Sequence, residues 1–290
     1  MGGVPDGVEV EVYDGQGEPP AGIGEVEVYV VPYMFGLEPL RLMASMPSLR
    51  VAQTLTAGVD DYVPLVPDGV TLCNAKGVHD ASTAELAVAL TLASMRNLPG
   101  FVRAQDRGDW AHGRFESLAD KTVLVVGYGS VGAAVEARLA GFECDVLRVA
   151  RSPRDGVAGM GSLPELLPRA DVVVLTVPMT AETTGLVDAA FLAAMADGAL
   201  LVNVARGPVV RTDALLAELR SGRLRAALDV TDPEPLPPDH PLWTAPGVLV
   251  SPHVGGNTSA FLPRAMRLVA EQLRRYCAGE PLLNVVSGDY

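Results

Sequence analysis

Cysteine is scarce: residues 73, 144 and 277 are the only three in a chain of 290. They are odd in number and far apart, which suggests neither a disulfide framework nor a thiolate metal clip, and all three read as small core hydrophobes. No metal site is expected. Aromatic residues make up only 5%, and lysine occurs only at positions 76 and 121. No uncharged apolar run approaches the ~18 residues of a membrane span. The N-terminus, Met1-Gly-Gly-Val-Pro-Asp6, lacks the basic and apolar regions of a signal peptide, so a cytoplasmic location is expected. Positive charge is also short: 22 Lys and Arg face 35 Asp and Glu, for a net charge of −13. That field disfavours nucleic acid and anionic membranes as partners. An anionic ligand must therefore be caught by local arginines or backbone N–H groups.

What is present is a high hydrophobic fraction, 49%, arranged as short β-rich runs alternating with longer Ala/Leu-rich stretches of helical period. This is the pattern of an α/β protein with parallel sheets. Strands are predicted at 8–13, 26–31, 49–54 and 70–73, with a helix at 38–46. An amphipathic helix is predicted at 82–96, capped by Ser82 or Thr83. Strands then follow at 122–127, 146–150, 172–177, 199–204, 225–230 and 248–250, with helices at 131–140, 188–195 and 213–220. This makes a doubly wound domain of at least five strands. A last helix at 263–277 precedes a segment, 283–286, that could return to the first sheet.

Gly127-Tyr-Gly129-Ser-Val-Gly132 follows a predicted strand and opens a predicted helix. A tight glycine turn leading into a helix N-terminus is the Rossmann arrangement for a dinucleotide pyrophosphate. The acidic residue that would bind the ribose 2′-OH of NAD is missing. Its place, 23 residues after Gly127, is held by Ala150, followed by Arg151-Ser152-Pro153-Arg154. Without that carboxylate a 2′-phosphate is not repelled, and two guanidinium groups beside a hydroxyl can bind it, so NADP(H) is favoured and NAD(H) remains open.

Three polar residues lie just beyond predicted strands in the second half: Arg206, Glu234 and His253. The carboxyl ends of strands border the ligand crevice of an open α/β sheet. An arginine can hold a carboxylate through two parallel bonds. A histidine can move a proton near neutral pH, and a carboxylate beside it fixes its ring. The set suits hydride transfer between a nicotinamide and a small 2-oxo or 2-hydroxy acid.

Over most of its length the sequence resembles the D-isomer-specific 2-hydroxyacid dehydrogenases. The resemblance is carried by Thr56-Ala-Gly-Val-Asp60, Thr83-Ala-Glu85, 118–132, Val177-Pro-Met-Thr180 with Thr183-Thr-Gly-Leu186, Val202-Asn-Val-Ala-Arg-Gly-Pro208, Ala227-Leu-Asp-Val230 with Glu234-Pro-Leu236, and Ser251-Pro-His-Val-Gly-Gly256. It implies a catalytic trio of Arg206, Glu234 and His253, and a loop at Ala57, Gly58 and Val59 whose N–H groups help hold the substrate carboxylate. It places Gly127, Gly129, Ser130, Val131 and Gly132 at the pyrophosphate, and Thr176, Val177 and Pro178 near the adenosine. Ala205 and Asp229 would face the nicotinamide, while Gly255 and Gly256 let the cofactor approach the loop after His253. The implied architecture is a Rossmann nucleotide-binding domain at 78–256 and a smaller flavodoxin-like substrate domain at 1–77 and 257–290. Both would be doubly wound parallel-sheet folds, hinged near Gly77 and Gly256.

The departures from the family carry expectations too. By comparison with the family, the substrate domain is expected to be N-terminally abbreviated by its first strand–helix unit, with its sheet edge covered by a partner or by the Pro19-Pro20 loop. Glu143 stands where the family usually has a glycine, and the end at Tyr290 leaves no room for a regulatory domain. The segment 97–115, with Trp110 and Phe115, corresponds to the family's dimer interface, and a homodimer is expected. His79, His112 and His240 read as surface or capping residues, although His79 lies near a hinge; Lys76 reads as solvated. Glyoxylate or hydroxypyruvate is the first substrate to try. The alternatives are another small acid or a non-catalytic, NAD(P)(H)-sensing protein like the family's corepressors. Glu234 argues against the formate-oxidising relatives, which carry an amide there.

Overall fold

The computed structural model describes residues 4–13, 17–33 and 36–287. The chain divides into two compact units, one made of Met1–His79 with Ser259–Tyr290 and the other of Asp80–Thr258.

The first unit holds β1 (Val28–Val30), α1 (Glu38–Arg41), β2 (Val51–Gln53) and β3 (Thr71–Cys73). The three strands are parallel in the order β1-β2-β3. Pro39 at the start of α1 suits a first helical turn, where its missing N–H has no partner to lose. The helix tightens into a 3₁₀ turn at Leu42–Ser45, and Leu40, Met43, Leu49, Ala52, Val59 and Leu72 close a core above the sheet.

The alternation at 8–13 does not produce a strand. Val10 and Val12 are exposed, and no described strand pairs with this segment. A period of two makes a strand only where a neighbour supplies ladder bonds and a face to bury. After Pro20 the chain forms a 3₁₀ turn, Ala21–Glu25, whose Ile23 packs on the first core.

The second unit opens with α2 (Asp80–Met95) and α3 (Leu98–Asp106). The helix begins two residues before the predicted cap, so Ser82 and Thr83 lie in its first turn and Ser82 is buried. Next come β4 (Thr122–Val126), α4 (Ser130–Leu139), β5 (Asp145–Ala150), β6 (Ala158–Gly159), α5 (Leu163–Leu166) and β7 (Val172–Leu175). The remainder is α6 (Ala189–Ala194), β8 (Leu200–Asn203), α7 (Thr212–Arg220), β9 (Arg225–Leu228) and β10 (Val248–Val250). All seven strands are parallel in the order β10-β9-β8-β7-β4-β5-β6, so the strand order reverses between β7 and β4.

Both faces of this sheet are covered, which explains its continuous apolar runs. Along β4, Val123 and Val125 pack with α2 and α4, while Leu124 and Val126 pack with α6 and α7 on the other face. The same alternation recurs in β7, where Val172 and Val174 oppose Val173 and Leu175. Lys121 Nζ, 2.8 Å from Asp171 Oδ1, clamps the start of β4 to that of β7.

The chain returns to the first unit as α8 (Phe261–Ala278). The segment after it does return to the first sheet, as an antiparallel bridge from Val285 to Cys73. A buried amide pair ties these parts together. Gln272 Nε2 donates to Gln53 Oε1 on β2 at 2.8 Å and to the Leu283 carbonyl at 2.9 Å, while its Oε1 accepts from Leu283 N. His79 is buried rather than superficial: its ring lies 5.3 Å from Phe261 and 5.7 Å from Tyr33, with Nε2 2.8 Å from the Leu55 carbonyl. The polar residues beside it in sequence hid a ring that stacks only once α8 is in place. Cys277, by contrast, is exposed near the end of α8, so the core reading holds for Cys73 and fails for Cys277.

Candidate active site

β4 and β7 are paired neighbours at which the strand order reverses, and the loops at their carboxyl ends lie where an open α/β sheet takes its ligand. Gly127 closes the turn after β4 with φ 102, a left-handed backbone that disfavours side chains. A Cβ there would lie 2.5 Å from Val177 N on the loop after β7. Thr176 Oγ1 donates to the Gly127 carbonyl at 2.9 Å and stitches the two loops together. A Cβ at Gly132, in the first turn of α4, would lie 2.9 Å from the Gly127 carbonyl. A Cβ at Gly129 would meet only one atom, at 3.9 Å, so this face of the turn is open. Tight packing at the outer glycines, an open middle one and a helix starting at Ser130 fit a dinucleotide pyrophosphate.

Ala150 ends β5 beside that turn, with Arg151 and Ser152 exposed after it. Arg154 reaches back: its Nη2 donates to the Tyr128 carbonyl at 2.6 Å, and its guanidinium lies 5.6 Å from the Tyr128 ring centre. The Tyr128 hydroxyl is itself held by Glu136, which also accepts from Arg148 Nε at 2.7 Å. One guanidinium is thus fixed at the mouth of the glycine turn, and the residue that ends β5 there, Ala150, carries no charge.

Arg206, Glu234 and His253 follow β8, β9 and β10, three adjacent parallel strands, so strand order gathers residues far apart in sequence on one edge. His253 Nδ1 lies 2.5 Å from Glu234 Oε1. Burial pushes the Glu234 carboxyl up, but the hydrogen bond and charge of His253, a backbone bond at Thr231 and the charge of Arg206 together hold it below the ordinary carboxylate range. An ionised carboxylate only accepts, so Nδ1 donates and Nε2 is left for a ligand.

The loops are braced from below. Asn203 Nδ2 donates to the Arg206 carbonyl at 3.0 Å and Asn203 Oδ1 accepts from Ala205 N. Asp229, buried, accepts from Ser251 Oγ at 2.6 Å, from Val254 N and from Gly255 N, both at 2.9 Å. His253 itself sits at φ 52, an unfavourable backbone that this bracing maintains.

Residues 88–255 match the family described as D-isomer specific 2-hydroxyacid dehydrogenase, NAD binding domain. The chain belongs to this family. Among relatives of this chain, human glyoxylate reductase/hydroxypyruvate reductase is 33% identical over 255 residues, covering 83% of this chain and 78% of that one. D-3-phosphoglycerate dehydrogenase of Methanocaldococcus jannaschii is 35% identical over 252 residues, covering 82% of this chain but 48% of that one. This chain thus spans about half the length of that relative. Among solved structures, a D-isomer specific 2-hydroxyacid dehydrogenase from Xanthobacter autotrophicus Py2, in complex with NADPH and MES, is 35% identical with a TM-score of 0.80, covering 98% of this chain and 88% of that one.

In this dehydrogenase-family chain, Val177 is buried and Pro178 exposed, their loop closed by Thr183 Oγ1 donating to the Pro178 carbonyl at 2.6 Å. Val131 lies half-buried in α4, and Gly256 in the turn after His253. Ala57, Gly58 and Val59 belong to the first unit. There Asn74 Nδ2 donates to the Ala57 carbonyl at 3.0 Å, and Val59 is buried. Asn203, Ser251 and Tyr128 escaped sequence reasoning as site residues, since a polar residue after an apolar run looks the same whether it braces a loop or faces solvent. No group of described residues could hold a metal ion, and no described helix is long and apolar enough to cross a membrane.

Proposed function

We propose that the chain is an NADP(H)-preferring oxidoreductase that interconverts a small 2-oxo acid and its D-2-hydroxy acid, of the glyoxylate/hydroxypyruvate reductase type. The observation carrying this reading is the His253–Glu234 pair beside Arg206, on the edge where the Rossmann sheet presents its ligands. Arg206 holds the substrate carboxylate and polarises its oxo group. In the first unit, the N–H groups of Ala57, Gly58 and Val59 are assigned to the same carboxylate by the resemblance. When bound, the nicotinamide supplies the hydride. His253 Nε2 delivers the proton to the substrate oxygen, and Glu234 holds the ring through Nδ1 and stabilises its charged form.

Gly127, Gly129, Ser130, Val131 and Gly132 are assigned to the pyrophosphate, with Thr176, Val177 and Pro178 beside the adenosine and Ala205, Asp229, Gly255 and Gly256 at the nicotinamide end. Arg151, Ser152 and Arg154 are assigned to the 2′-phosphate, supported by the missing acid at Ala150 and the fixed place of Arg154. The test is NADPH and NADH oxidation with glyoxylate, hydroxypyruvate and larger 2-oxo acids, together with both cofactors' dissociation constants. Turnover with at least one acid and tighter NADPH binding are expected. Tight cofactor binding with no turnover on any acid would replace the enzyme by a sensor.

The arm after α3 is assigned to a homodimer contact. Trp110 and Phe115 are exposed there and Phe101 and Val102 on α3 itself, and a cavity of about 670 Å³ opens beside Phe115, Met95 and Leu249. It lies toward the amino end of β10, the end away from His253.

A further inference from the structure

Several cations of this acidic chain are matched with carboxylates. The second lysine, Lys121, is paired with Asp171, and the arginines near the end of α8, Arg274 and Arg275, are paired with Glu271 and, for Arg274, with Glu280. Elsewhere three cations are gathered around one cavity instead. In the first unit, Lys76, Arg264 and Arg267 line a single cavity of about 280 Å³ with Gly77, Val78 and Leu268. Among the described residues no carboxylate lies within ion-pair distance of any of these three cations.

Lys76 and Arg267 are exposed at the cavity's rim and Arg264 is half-buried. Three like charges around one small volume repel one another. Arg264 and Arg267 also sit in the first two turns of an 18-residue helix with no acidic residue in its first turn, where the macrodipole favours anions rather than cations. The loop that brings Lys76 to the cavity is firmly held: Asn284 Nδ2 donates to the Lys76 carbonyl at 3.0 Å, and Lys76 N donates to Asn74 Oδ1 at 3.1 Å. Gly77, at φ 93, leaves open space where a side chain would stand.

We propose that this cavity, lined by Lys76, Arg264 and Arg267, is a binding site for a phosphate dianion, either inorganic phosphate or the phosphate of a small phosphomonoester. Three cations match a group carrying nearly two negative charges, and guanidinium forks suit phosphate oxygens. A single carboxylate would leave most of the positive charge unneutralised. The volume is roughly nine times the ~30 Å³ share of one liquid water, which leaves room for an ester substituent.

The inference does not depend on the oxidoreductase reading, and its test can fail separately. Thermal unfolding and calorimetric titration use the full chain saturated with NADPH, which fills the sites assigned to cofactor phosphates. Inorganic phosphate and glycerol 3-phosphate are added at about 10 mM, against chloride and acetate at equal ionic strength. Wild type is expected to melt several degrees higher with phosphate or the ester, but not with acetate. The Arg264→Gln/Arg267→Gln variant should lose most of that rise, with a dissociation constant at least tenfold weaker. Arg206→Gln should retain the response. In phosphate-free buffer the double variant should bind NADPH as tightly as wild type and melt no lower, showing that it is folded. A response only to inorganic phosphate, or only to the ester, supports the site and names its source. No response in wild type to either, or an equal response in the double variant, overturns it.

Discussion

Glu143 precedes β5 at φ 56, a left-handed backbone that costs a non-glycine residue about 1 kcal/mol. Its carbonyl accepts from Asp120 N at 2.9 Å, so the turn is fixed and the residue bears the strain. Glu143→Gly should raise stability by up to about 1 kcal/mol in urea unfolding and leave cofactor binding unchanged. At the site, His253→Ala should lower turnover by about 10²- to 10⁴-fold in steady-state assays with NADPH affinity retained. Glu234 tests the electrostatics. Its carboxyl lies below its ordinary value in the fold, so the stability it adds is fully present above the unfolded carboxylate range and is lost as pH falls through the folded value. The stability difference between wild type and Glu234→Gln, followed by urea unfolding from about pH 5 to pH 3, should therefore shrink on acidification. A difference that grows there would contradict the assigned bond.

At the scale of elements, the buried strands were the most legible. β4, β7 and β8 are sandwiched between helix layers, so every residue is apolar or packed and the run itself betrays the strand. β6 was missed because Ala158–Gly159 has no apolar pattern, and 8–13 misled because its alternation has no partner. Close approaches between loops were invisible for a similar reason. A Cβ at Gly207 would lie 1.9 Å from the Thr231 carbonyl, which leads into the loop carrying Glu234. Gly207→Ala should lower kcat/KM at least tenfold by shifting Arg206 against Glu234, while NADPH binding persists. In the first unit, Gln272→Leu would leave Gln53 Oε1 and the Leu283 amide group without their partners. A loss of about 2–4 kcal/mol in chemical unfolding is expected.

On the scale of the whole molecule, a net charge of −13 makes local clusters of arginine meaningful. Such pairs stand after β5, as Arg151 and Arg154, and at the cavity beside α8, as Arg264 and Arg267, while the trio holds the single Arg206. The homodimer belongs to this scale as well. Sedimentation equilibrium should give about twice the chain mass, and Trp110→Asp, at a ring that is 92% exposed, should shift it toward the single chain. A single-chain mass in the wild type would remove the dimer.

Local sequence by itself determined the alternation of strand and helix, the glycine turn and the missing acid at Ala150, because each depends on contiguous residues and their period. It also marked Arg206, Glu234 and His253 as polar residues beyond predicted strands, and the family resemblance gave them their roles as a trio. Tertiary structure alone decided that Glu234 meets His253, that Asn203 and Asp229 brace the loops, that His79 is buried, and that Lys76 shares a cavity with two arginines of α8. Those contacts join segments brought together by the order of strands in a sheet and by a helix returning near the end of the chain, and neither is written in the period of any one segment.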